Sequence, residues 1–138
     1  MANAVYDLFK QELMKGTSNN LLNSSDGATG VFVALVDTGT YTFSQSHQFY
    51  SDLSGVVGTD QEILSKTQTA GVFDGDNVTF SAVTGNDVEA LVLYRKNSGA
   101  NTTWPLIAFI DTNVTGLPVT PNGGDIGITF NASGIFKL

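Results

Sequence analysis

The stretch Gly71–Arg95, GVFDGDNVTFSAVTGNDVEALVLYR, restricts the fold more than any other part of the chain. Val78, Phe80 and Ala82 alternate with Thr79 and Ser81, the period of two that turns one face of a strand to a core. Val88, Ala90, Val92 and Tyr94 share one face of a second run, with Leu91 and Leu93 on the other. Asp74-Gly75-Asp76-Asn77 and Gly85-Asn86-Asp87 separate the runs with residues that favour tight turns. The stretch predicts a sheet scaffold and contains no catalytic grouping.

The flanking sequence extends this reading. Asn3 is a suitable helix N-cap, and Val5, Leu8, Phe9 and Leu13 form one apolar stripe at helical spacing. Asp7 near the start, Lys15 near the end and Gly16 as the terminating residue predict an amphipathic helix over Ala4–Lys15. Its stripe can pack on its own domain or on a partner, because the same physics serves both. A polar loop, Thr17–Gly30, carries Leu21 and Leu22 as a possible anchor. Val31–Val36 is apolar on both faces, as in a buried strand. Ser46–Leu53 suits a short second helix, which Gly55–Gly58 ends. Further strands are expected over Gln61–Thr69, Trp104–Ile110, Ile126–Phe130 and Ile135–Leu138. Val33–Thr38 and Ile107–Thr112 echo each other as apolar strands leaving through Asp-Thr. The expectation is a mostly β fold: a single-domain β-sandwich or open barrel of six to eight short strands. Residues 1–16 form an N-terminal helix or arm, and residues 17–138 a single β domain within one compact unit.

Composition excludes several functions. The net charge is −7, and Lys10, Lys15, Lys66, Arg95, Lys96 and Lys137 are the only cations, so nucleic acid is not an expected partner. There is no cysteine, which removes disulfides, thiolate metal sites and cysteine nucleophiles. The start MANAVYDLFKQELMKG lacks the basic and apolar regions of a secretory signal, and no apolar run approaches the roughly 20 residues of a membrane span. Charged residues are only 14%, against a usual share of ~25%. Thr, Asn and Ser therefore supply much of the surface, which leaves few ions to desolvate when proteins associate.

The chemistry-bearing residues do not assemble into a motif. His47 is the only histidine, and a triad could be drawn with Ser44 or Ser51 and Asp52, but no nucleophile turn supports it. Asp74, Asp76 and Asn77 resemble a fragment of a calcium loop without its closing glutamate. Asp37, Asp111 and Asp125 stand near strand ends, and Glu89 interrupts an apolar strand. Trp104 and Tyr94 could form a sugar-stacking platform. No phosphate-binding glycine loop is present. No catalytic, cofactor-binding or metal-ligating residue is assigned, and the chain is not expected to be an enzyme.

Three phrases taken together resemble a family of small structural proteins from tailed bacteriophages: VALVDTGTYTFSQSHQFYSDL, AGVFDGDNVTFSAVTGNDVEALVLYR and LIAFIDTNVTGLPVTPNGGDIGITF with the closing GIFKL. The start of the chain is similar too, while Ser18–Gly30 and Gly55–Gln61 depart from the pattern. Many members of the family are uncharacterised. The resemblance implies a virion component, with head decoration (cement) as the leading assignment. It implies the major capsid protein or other virion proteins as partners, and is compatible with a homo-oligomer. It also implies a place on the capsid exterior after assembly in the bacterial host cytoplasm. Neither nucleic acid, membrane nor cofactor is expected. Val5, Phe9, Leu13, Leu21 and Leu22 are the candidate partner contacts. The alternatives are a head–tail connector, tail or adhesion component, or a carbohydrate-binding sandwich module.

Overall fold

The computed structural model describes residues 3–15 and 30–138. The Val88–Tyr94 run supplies the central strand of the largest sheet, β7 (Ala90–Lys96). On one side β7 pairs with β2 (Gly30–Val36), and β2 with β3 (Val56–Glu62). On the other side it pairs with β8 (Leu106–Ile110), whose outer edge takes β1 (Ala4–Val5). Every pairing in this five-stranded sheet is antiparallel.

All of β2, all of β8 and Ala90–Tyr94 of β7 are buried, so these strands need cover on both faces. On one face, Phe32 stacks beside Tyr94, and Tyr41 and Phe43 pack on Phe109. Tyr50 and Trp104 close over Tyr94, while helix α1 (Asp7–Met14) adds Phe9 to the core. The opposite face is left to two small sheets. One pairs β6 (Val78–Phe80) with β9 (Ile126–Ile128). The other orders β10 (Phe136–Lys137), β5 (Val72–Asp74) and β4 (Thr67–Thr69). They contribute Val78, Phe80, Ile126, Ile128 and Phe73 to the same core. The fold is mostly β: among the described residues it has ten strands in three sheets, one α-helix near the N-terminus, and no closed barrel. This is the expected sandwich class, with more and shorter strands than the six to eight anticipated.

The helix starts later than its sequence pattern predicts. Ala4 and Val5 are extended, because their backbone groups complete the edge of β8 opposite Phe109 and Ala108. Asn3 therefore does not cap the helix. Its Oδ1 accepts from the Asp111 and Thr112 amides at 2.8 and 2.9 Å, closing the exit of β8. The N-cap is Tyr6, which makes no side-chain cap bond; its amide donates to Ile107 O. The N-terminal segment is thus part of the sheet as well as a helix. Gly16 lies outside the described residues.

Other departures also have local causes. The short second helix is a single 3-10 turn, Tyr50–Asp52, because Asp52 Oδ2 accepts from the Gln48 and Phe49 amides and holds Phe49 extended. The strand expected over Gln61–Thr69 breaks at Ser65, which has φ 51°. Ser65 Oγ donates to Asp76 Oδ2 across that break. The strand expected over Val78–Ala82 ends at Phe80, since Ala82 has φ 49° and its amide donates to Asp125 Oδ1. The two runs of Gly71–Arg95 do not pair with each other: β6 joins β9, while β7 joins β2 and β8.

Candidate functional site

The apolar stripe of the N-terminal segment divides in three dimensions. Phe9 is 2% exposed and belongs to the chain's own core. Val5 is half-buried in β1. Leu13, also half-buried, lines a cavity of about 260 Å³ with Val72, Phe73, Phe136 and Leu138. Leu138, 59% exposed, and Met14 next to Leu13 in the chain, 80% exposed, are two of the large hydrophobic side chains left most open to solvent. Leu21 and Leu22 lie outside the described residues.

The acids are occupied by local structure. Asp37 accepts from Gly39 N, Thr40 Oγ1 and Asn86 Nδ2 at 2.7–2.9 Å. The Asn86 amide foremost, with the Thr40 hydroxyl and the Gly39 amide, holds its carboxyl below the usual range. Glu89 Oε2 accepts from the Thr38 amide at 2.9 Å. β2 and β8 both run antiparallel to β7, so they leave the sheet at the same end. The Asp-Thr echo is therefore a spatial one: Glu89 holds Thr38 as Asn3 holds Thr112. Asp74 Oδ1 accepts from Gly75 N, and Asn77 Oδ1 from Phe130 N. The calcium-like phrase is the connection from β5 to β6, and among the described residues no three His, Asp or Glu side chains gather to hold a metal ion.

The suggested triad is not assembled. Ser44 Oγ pairs with Ser46 Oγ, Asp52 is bound to two backbone amides, and His47 Nδ1 meets Tyr41 Oη at 2.8 Å. The Phe49 amide, then that of Gln48, lowers the Asp52 carboxyl from its ordinary value, and nearby His47 acts in the same direction. Tyr41 Oη in turn meets Tyr6 Oη at 2.9 Å, in a chain of two buried hydroxyls ending at the imidazole. Burial raises both phenols, that of Tyr6 well above the ordinary range.

A second polar cluster escaped the sequence reading. Tyr94 and Tyr50 both donate to Asp60 Oδ2, at 2.7 and 2.8 Å, while Asp60 Oδ1 is buried without a partner. Desolvation raises the Asp60 carboxyl, against the lowering effect of the two hydroxyls and of Lys96. Lys96 Nζ lies 4.9 Å from the Phe32 ring centre and 5.3 Å from that of Trp104. Tyr94 is 2% exposed, and Trp104 stacks on it at an interplanar angle of 12°, with Nε1 donating to Gly99 O. One indole face and the indole N–H are thus committed inside the protein. Asp60 gave no sequence signal because it follows the Gly55–Gly58 segment read as a breaker, and its tyrosines are 10 and 34 residues away.

No protein-family model matches this chain, and no curated protein sequence matches it. Among the described residues no helix is long and apolar enough to cross a membrane.

Proposed function

We propose that this protein is a non-enzymatic structural component of a tailed-bacteriophage virion, and that it acts as a capsid decoration protein. The observation that carries the reading is how the polar side chains are used. Asp37, Asp52, Asp74, Asp125 and His47 each hold a turn or a buried hydroxyl, and Glu89, which lines a cavity with Asp111 and Tyr41, is bonded to the Thr38 amide. What faces outward is a sparsely charged, net acidic surface of short loops, on which Met14 and Leu138 stand exposed. Such a surface suits binding: it gains area without desolvating many ions. Repeated docking on a lattice makes even modest contacts effective when one copy bridges two subunits. The net charge of −7 repels packaged DNA and favours an outer position. The resemblance of the three strand–turn phrases to phage structural proteins supplies the lattice as partner.

Quantitative gel densitometry of purified particles tests this. Decoration gives a copy number comparable to the major capsid protein, whereas a neck or tail role gives a dozen or fewer copies. Absence from the particle refutes the virion reading. Met14→Asp, at a position 80% exposed, should weaken capsid binding while leaving the fold intact.

A further inference from the structure

We infer that His47 is a pH-sensitive anchor for the N-terminal β1–α1 segment, acting through the hydroxyl chain Tyr6–Tyr41–His47. The argument is a count of donors and acceptors. Tyr6 Oη is 2.9 Å from Tyr41 Oη, and Tyr41 Oη is 2.8 Å from His47 Nδ1. Tyr6 and Tyr41 are 0% and 2% exposed, so water does not replace a lost partner. With a neutral imidazole that accepts at Nδ1, both hydroxyls are satisfied: Tyr6 donates to Tyr41, and Tyr41 donates to His47. A proton on Nδ1 reverses the chain. The imidazolium then donates to Tyr41 Oη, so only one of the two phenolic O–H groups still has an acceptor, and the other is left buried with none among the described residues.

That loss falls on the contact between Tyr41 and Tyr6, the residue joining β1 to α1. The Tyr6 amide bonds Ile107 O and its carbonyl accepts from the Lys10 amide, so the ring sits where the edge strand becomes helix. Tyr6 also packs on Phe43, which packs on Phe109 of β8. The titratable and charged groups around the chain are Asp52 on the 3-10 turn, Tyr41 and Tyr6 themselves, and Glu89 and Asp111, which line a cavity with Tyr41. Asp52 lies close enough to His47 for the imidazole to lower its carboxyl. The segment is thereby held firmly while the imidazole is neutral and loosened when it carries a proton. The same segment carries the half-buried Val5 and Leu13 and the exposed Met14, so loosening it changes the apolar surface offered to a partner.

Amide hydrogen exchange, corrected for the intrinsic rate at each pH, tests the anchor. Between pH 7.5 and 5.0 the protection of the Tyr6 and Lys10 amides should fall roughly tenfold, while that of Leu91–Leu93 in β7 holds. In His47→Gln there is no proton to take, and in Tyr41→Phe the link from the imidazole to Tyr6 is gone, so both variants should lose the pH dependence. If Tyr41→Phe detaches the segment by itself, His47→Gln still decides. Unchanged protection in the wild type, a pH-dependent fall that survives in His47→Gln, or an equal fall in β7 would each overturn the inference.

Discussion

Tyr94→Phe isolates the energetics of the buried Asp60 carboxylate. The change keeps the ring that stacks between Phe32 and Trp104 and removes only the hydroxyl 2.7 Å from Asp60 Oδ2. A hydrogen bond to a charged group contributes about 1.5–3 kcal/mol, and Tyr94 is buried, so a loss of about 2 kcal/mol is expected at pH 7. Tyr50→Phe should cost less, about 1 kcal/mol, because Tyr50 is more exposed and can exchange its bond for water. The double variant should lose more than the two together. Both hydroxyls reach the same oxygen and Asp60 Oδ1 already lacks a partner, so the second loss leaves a buried carboxylate with no donor.

The pH dependence has a definite sign. Burial raises the folded-state pKa of Asp60, so its contribution is fully present below the unfolded value of roughly 3.9 and declines as pH rises through the folded value. The two hydroxyls oppose that rise; removing them raises the folded value further and widens the loss toward neutrality. Urea denaturation at pH 4.5 and pH 7 reads both quantities. A loss below about 0.5 kcal/mol for Tyr94→Phe, strict additivity, or equal losses at the two pH values would refute this account of a desolvated carboxylate.

Phe9→Ala should destabilise the β1–α1 docking by about 3–5 kcal/mol, whereas Met14→Asp should stay within about 0.5 kcal/mol by urea denaturation. Asp37 and Asp52 behave oppositely to Asp60: their lowered carboxyls support the fold above the unfolded value near ~3.9 and lose that support as pH falls through the folded values. Acid titration of Asp37→Asn followed by circular dichroism should accordingly show a shallower low-pH loss than the wild type. Gly75→Ala should cost more than about 1 kcal/mol, since its new Cβ overlaps Ile63 Cγ2 and approaches Leu64 O at 3.0 Å; a neutral thermal melt would show that this turn yields.

Strand periodicity located β2, β7 and β8 within about two residues, because the alternation and apolar runs of Val31–Val36, Val88–Tyr94 and Trp104–Ile110 are local properties of the chain. Turn chemistry was only partly local: Asp74 bonds the next amide, whereas Asn77 reaches the Phe130 amide, 53 residues away. Asn3 was misread for the complementary reason. As an isolated residue it is a good N-cap, but the unpaired edge of β8, more than 100 residues away, takes its side chain and the two residues after it. Similarly, nothing local distinguished Asp60 from a surface acid.

The sequence by itself determined that the chain would be mostly β and that its middle strand would be buried. Tertiary structure decided which strands pair, and left β6 and β7 with different partners. It also buried Phe9, brought Tyr6, Tyr41 and His47 into one chain, and set Asp60 beneath two tyrosines. The physical reason is one of range. Propensity and periodicity act over a few residues, but desolvation and hydrogen-bond satisfaction depend on groups that meet only when distant segments close one core.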